Sequence, residues 1–147
     1  MFSNILCAVD GSKHALKAAR LASELAVAGE ATLTFLVVTK PLKLTEEVQH
    51  YLEVENLGTS EPQYVLDEFC KRILDQARAI ARELGLGTKS EIQAGQPART
   101  IVSFAARSGC DAIVLGSRGH GDADGGFLGS VSHKVTSLAK CTVVTVK

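Results

Sequence analysis

The chain has 147 residues, 46% of them apolar, with 16 basic and 16 acidic side chains and no formal net charge. That length suits one compact domain. No apolar run is long enough to cross a bilayer, and zero net charge gives no basic field with which to grip nucleic acid. Two Tyr, five Phe and no Trp leave little from which to build a base-stacking platform.

The opening stretch, MFSNILCAVDGS, lacks a basic region followed by an apolar core and a cleavage site. It reads as the first strand of a mature domain, and the expected location is cytoplasmic. Asn4 to Asp10 is a short apolar run rich in branched residues, the pattern of a buried strand. A helix follows, with Leu16, Ala19, Leu21, Leu25 and Ala28 near helical spacing, Ser12 as N-cap and Gly29 as its stop. Lys13, Lys17 and Arg20 fall on its solvated face. Ala31 to Val38 is a second strand, so the chain opens with a right-handed β-α-β unit.

Thr39 to Thr59 contains Pro41 and Gly58 and has no clean period. It is long for a connection and reads as a flap or the site of a short helix. Ser60-Glu-Pro-Gln63 carries a helix-start signature: Ser60 as cap, Pro62 in the first turn, Gln63 closing a capping box. That helix runs to about Leu84 and is ended by Gly85 and Gly87. KSEIQAG is a polar strand suited to a sheet edge. A helix over Pro97 to Ser108, a buried strand over Cys110 to Gly116, a helix over Ser130 to Ala139 and the strand CTVVTVK complete the chain. The alternation implies a parallel sheet with helices on both faces. Cys7, Cys70, Cys110 and Cys141 form no C-x-x-C pair and have no His at zinc spacing, so packing is their expected role. His14, His50 and His133 are expected at the surface.

GSRGHGDADGGFLGS, Gly116 to Ser130, joins a buried strand to a helix and holds six glycines. Ligands of parallel sheets bind outside the carboxyl ends of strands, where the strand order reverses. A helix start offers unpaired N–H groups and the positive end of a dipole. Glycines let successive N–H groups converge on an anion without a Cβ in the way. Together these make a phosphate seat, to which the hydroxyls of Ser130 and Ser132 add donors. The alternative is a loose loop with Ser130 as an ordinary cap. Other phosphate motifs fail: there is no Gly-Lys pair for a P-loop, and VDGSKHA is not G-x-G-x-x-G.

Gly116-x2-Gly119-x9-Gly129-Ser130 resembles the G-x2-G-x9-G-[ST] signature of ATP-binding universal stress proteins. ILCAVDGS, LTFLVV, Gly95-x-Pro97 with Ile101, CDAIVLGSRG and GSVSHKVTSLAKCTVVTV extend the resemblance to nearly the whole chain except about Thr39 to Tyr64. It implies an α/β fold: a single three-layer, doubly wound, five-stranded parallel sheet of order 3-2-1-4-5, the Rossmann-like architecture of adenine nucleotide alpha hydrolases. The order would reverse between strands ending at Asp10 and Gly116. By the same resemblance, Ala8 and Asp10 would lie beside adenosine, and Val38 would meet adenine through its backbone. Leu115 and Gly116 would pack near the ribose. Gly119, Gly129, Ser130, Val131 and Ser132 would hold phosphates, largely by main-chain N–H groups. Ser117, Arg118 and His120 would lie along the same wall. Mg²⁺ would ride on the phosphates, with no protein cage for it. Asp10 has a plainer reading too, an Asx turn with Gly11.

Two departures matter. Asp122 and Asp124 stand where relatives often carry basic residues. At an effective dielectric near 20, a unit pair at 4 Å is worth about 4 kcal/mol. Unless Mg²⁺ screens them or they point outward, they oppose a triphosphate, which keeps ADP, AMP and a cyclic nucleotide open as ligands. Thr142 stands where relatives often have Pro.

The last strand is apolar and would lie at a sheet edge in the family order. Such an edge invites pairing with another chain, so a homodimer through Val143, Val144 and Val146 is expected. The resemblance implies a regulatory nucleotide-binding protein with an unidentified protein partner, not an enzyme. The alternatives are a slow ATPase or phosphotransferase, with His120 and Asp122 its only local candidates, and a nucleotide-free member that only binds partners.

Overall fold

The computed structural model describes residues 1–40, 46–47, 50, 54, 60–119 and 129–147, with the backbone alone at 60–64. The candidate flap therefore falls, beyond Lys40 and four isolated positions, outside the described residues. So do His120, Asp122 and Asp124, and the side chains of the expected capping box. The elements are β1 (Asn4–Ala8), α1 (Lys13–Gly29), β2 (Thr32–Thr39), α2 (Ser60–Glu83), β3 (Lys89–Ala94), α3 (Pro97–Arg107), β4 (Ala112–Gly116), α4 (Ser130–Leu138) and β5 (Thr142–Val146).

All pairings among the five strands are parallel, in the order β3-β2-β1-β4-β5. Side chains alternate across a strand, and the buried residues divide accordingly. Ile5, Cys7, Leu33, Phe35, Ala112 and Val114 face α1 and α2. Leu6, Leu36, Ile113 and Leu115 face α3 and α4. The doubly wound sheet expected from the resemblance is thus present, with β3 and β5 as its two edges. Among the described residues, no helix is long and apolar enough to cross a membrane.

Two helix starts are set by side-chain caps. Ser12 caps α1 by accepting the Ala15 amide at 3.3 Å, as its sequence position predicts. Gln96 caps α3 by accepting the Arg99 amide at 2.8 Å. The face of α1 differs from the expected one. Its buried residues are Ala15, Ala18, Ala19, Ala22, Ser23 and Ala26, while Leu16, Leu21 and Leu25 lie half-buried at the flanks and Ala28 is exposed. Small side chains let this helix lie close against the sheet. The Ser23 hydroxyl, buried among them, donates to the Ala19 carbonyl at 2.7 Å, which satisfies it.

Gly29 does not stop α1; it is the last helical residue. The left-handed cap is Glu30, at φ 52°. Gly29 is needed for space instead, since a Cβ there would lie 2.9 Å from the Phe2 carbonyl oxygen. At the opposite end of the sheet from the glycine loop, the Asp111 carboxylate accepts the Ser3 amide at 2.9 Å, the Ser3 hydroxyl at 3.0 Å and the Asn4 amide at 3.0 Å. This clamp ties the start of β1 to the start of β4.

All four cysteines are free thiols: Cys7 and Cys70 are buried, Cys110 and Cys141 half-buried. Among the described residues, no group of three or more His, Cys, Asp or Glu side chains could hold a metal ion.

Candidate functional site

The crevice follows from topology. After β1 the chain crosses to α1 on one face; after β4 it crosses to α4 on the other. The two connections part, and a gap opens above the carboxyl ends of β1 and β4. These ends lie side by side, with Ala8 paired to Leu115. The resulting cleft has a volume of about 210 Å³.

Its two ends differ in chemistry. One is apolar, lined by Ala8, Leu36, Val38, Pro97, Ile101 and Leu115. The other is built from main chain and polar groups: Gly129, Ser130, Val131 and Ser132 with Arg118 and Gly119. Asp10 and Gly116 also line it.

The apolar end carries a backbone reader. Alternate residues of a strand in a parallel sheet turn their N–H and C=O toward opposite neighbours. The Leu36 carbonyl accepts Val9 N–H on the β1 side at 2.9 Å, and the Thr39 carbonyl accepts Gly95 N–H on the β3 side at 2.8 Å. Val38 therefore turns its amide and carbonyl to the β1 side, but β1 has ended at Ala8. Among the described residues nothing pairs with them there. A donor and an acceptor on an apolar floor suit the edge of a flat heterocycle.

The polar end is the first turn of α4. Gly129 is its N-cap and has no side chain to offer, so no side-chain cap bond forms. The first intrahelical bond runs from the His133 amide to the Gly129 carbonyl at 2.9 Å. The amides of Ser130, Val131 and Ser132 have no acceptor among the described residues. Three donors at the positive end of a helix, without a partner among the described residues, favour an anion.

Gly116 is a glycine for a different reason from the one the loop composition suggests. A Cβ on it would lie 2.7 Å from the Cβ of His14 and 3.0 Å from the Ala15 amide. What comes close to its main chain is the first turn of α1. Asp10 uses Oδ1 to accept the Ser12 amide at 2.9 Å, the plainer reading, and it also lines the cleft.

The structure gathers Ala8, Asp10, Val38, Leu115, Gly116, Arg118, Gly119, Gly129, Ser130, Val131 and Ser132 around one space. Ser117 is absent from the lining. It is buried, and its hydroxyl meets His14 Nδ1 at 3.1 Å. His14 is accordingly half-buried, while His50 and His133 are exposed as expected. The Ser132 hydroxyl, expected as an added donor to phosphate, is instead spent within the protein, on the carbonyls of Ser117 at 2.8 Å and Gly129 at 3.0 Å. Sequence reasoning missed Val9, Ala15, Leu36, Pro97 and Ile101 as lining residues. Leu36 shares Val38's face by alternation. Pro97 opens a helix just beyond the carboxyl end of β3, at the same sheet margin as the crevice.

Comparison with known proteins places these features in context. The family model described as the universal stress protein family matches residues 1–147. A universal stress protein from Thermus aquaticus, named for its position in the QAH/OAS sulfhydrylase 3' region, is 36% identical, with all of both chains covered. The universal stress protein UspA from Lactobacillus plantarum has the same fold, with a TM-score of 0.77 and 28% identity over 99% of this chain and 97% of that one. More distant structures share the fold as well: a universal stress protein in complex with cAMP, at TM-score 0.70 and 24% identity over 99% of this chain and 97% of that one, and one from Archaeoglobus fulgidus in complex with dAMP, at 0.69 and 22% over 100% and 98%.

Proposed function

The chain belongs to the universal stress protein family, and from that premise we propose that it is a regulatory protein that binds an adenine nucleotide, ATP, in the cleft between β1 and β4. The observation that carries this is the pairing of two recognition elements in one space. Adenine would lie on Leu36, Ile101 and Leu115, with its edge on the Val38 main chain. The phosphates would rest on the amides of Ser130, Val131 and Ser132, with Gly119, Arg118 and His120 beside them. Asp10 would accept a ribose hydroxyl, near Ala8 and Gly116. Two distant structures of this fold hold cAMP and dAMP, which supports the base end of this reading more than any particular phosphate number. Mg²⁺ would travel with the phosphates, since no cluster of metal ligands occurs among the described residues.

Among the described residues, the lining of the cleft contains no lysine. Phosphoryl transfer needs charge clamps and a positioned nucleophile; Arg118 is the one cationic side chain among the described lining residues, and this supports a binding role over turnover. Bound nucleotide would act by favouring one conformation or partner, through differential affinity. A second copy would pair along β5, an edge strand without charged residues, bringing Val143, Val144 and Val146 to the contact.

The deciding experiment is mass analysis of small molecules released from the purified native protein, with calorimetric titration of ATP, ADP, AMP and cAMP. An adenine nucleotide released or bound is the expected result; none released and none taken up rejects the reading. Sedimentation at micromolar concentration should give a dimer, and a monomer rejects the β5 contact.

A further inference from the structure

Ser117 stands where β4 leaves the sheet, and every polar atom of this buried residue is engaged. Its amide donates to the Val146 carbonyl on β5 at 2.7 Å. Its hydroxyl meets His14 Nδ1 on α1 at 3.1 Å. Its carbonyl accepts twice from α4, from the Gly129 amide at 2.7 Å and the Ser132 hydroxyl at 2.8 Å. One carbonyl thus holds both the N-cap and the third residue of the helix whose first turn lines the cleft. The sequence leaves eleven residues between Ser117 and Gly129, yet these two are joined directly, so the loop is closed at its base by a bond between its own ends.

We propose that Ser117 and Ser132 are positioning residues of the anion seat. The Ser132 side chain and the Ser117 carbonyl lock the first turn of α4 against the end of β4, which aims the amides of Ser130, Val131 and Ser132 into the cleft. The Ser132 hydroxyl itself does not reach the ligand: its single proton is shared between the Ser117 and Gly129 carbonyls. This rests on the nucleotide reading above for the nature of the ligand, but the lock itself is a property of the ligand-free protein. An anion seat built from main-chain amides has no side chain to adjust; its geometry is only as good as the fixing of the turn that carries it.

Ser132→Ala removes the hydroxyl and leaves the amides in place. Two measurements test it. Amide hydrogen exchange on the ligand-free protein should show faster exchange at Gly129 by about tenfold, with the strands β1 and β4 unchanged. Titration with adenosine and AMP should show adenosine affinity within about twofold of wild type and AMP affinity reduced about fivefold, the size expected for loss of one hydrogen bond. Ser137→Ala, which removes an exposed hydroxyl bonded to the His133 carbonyl in the last turn of the same helix, should change neither.

Unchanged exchange at Gly129 overturns the lock. Faster exchange with an unaltered AMP-to-adenosine ratio overturns positioning and leaves a merely structural bond. Equal loss for adenosine and AMP also overturns it, because positioning acts on the phosphate alone. Wild-type protein that binds neither compound overturns the nucleotide reading and the positioning role with it, and an exchange result of the expected kind then shows that the lock exists but serves no phosphate. If Ser132→Ala does not fold, the wild type decides: a free-state Gly129 amide that exchanges as fast as those of Ser130 and Val131 overturns the proposal.

Discussion

The Cα of Gly116 faces the backbone of His14 so closely that a methyl group built on it would lie 2.7 Å from His14 Cβ and 2.8 Å from the His14 carbonyl carbon. The end of β4 and the first turn of α1 are packed backbone to backbone, and neither can yield by turning a side chain away. Gly116→Ala should therefore lower stability by about 1–3 kcal/mol, the usual cost of overpacking. Urea denaturation measures it. A variant as stable as wild type would mean that α1 shifts outward without cost.

Gly129→Asp adds an acceptor at the N-cap of α4. The backbone there, φ −65° and ψ 165°, is open to any L-residue and is the conformation a capping Asp adopts. Its carboxylate would take the amides that the cleft otherwise presents and would set a negative charge where a phosphate is expected. Binding of AMP and ATP should fall by at least about a hundredfold, corresponding to loss of some 3 kcal/mol of charge-assisted hydrogen bonding. Calorimetry checks it; unchanged affinity would mean the phosphates lie elsewhere.

Asp111 accepts the amides of Ser3 and Asn4 and the Ser3 hydroxyl, and these bonds hold its carboxyl below the usual carboxylate range. A carboxylate depressed in the folded state stabilises the protein above its unfolded pKa, about 3.9, and loses that contribution as pH falls through the folded value. Asp111→Asn should lower the melting temperature at pH 7, and the gap from wild type should narrow as pH drops below about 4. Melting curves from pH 7 to pH 2.5 test this; a constant gap would assign the loss to geometry and not to charge.

Burial pushes the Cys7 thiol far above its ordinary value, and Cys110 and Cys141 are raised for the same reason while remaining half-buried. Since the thiolate is the nucleophile, iodoacetamide at pH 7 should label Cys110 and Cys141 slowly, and faster as pH rises. Cys7 and Cys70 should be labelled only on unfolding. Peptide mass mapping reads the order directly, and early labelling of Cys7 in the native protein would contradict the packing of β1.

Much of this was legible from the residues. Branched apolar runs marked β1, β2 and β4 because a strand covered on both faces leaves no polar alternation. The spacing of Gly116, Gly119, Gly129 and Ser130 marked one wall of the cleft. The alanine face of α1 was not legible, since leucines at similar spacing compete for the same assignment and only the closeness of helix to sheet decides. Pro97 and Ile101 belong to the cleft through strand order, which local sequence does not carry. Ser132 looked like a phosphate donor because its hydroxyl sits in the right turn; that the hydroxyl bonds Ser117, fifteen positions away, depends on how the loop closes.

The two margins of the sheet are unlike. β3 carries Lys89 and Glu91, while β5 reads TVVTV. Growth by strand addition is thus discouraged at one border and permitted at the other. Two copies joined through β5 would make a continuous ten-stranded ribbon with a charged strand at each extremity. Strand addition through β5 would then stop at two copies and would not lengthen into a filament.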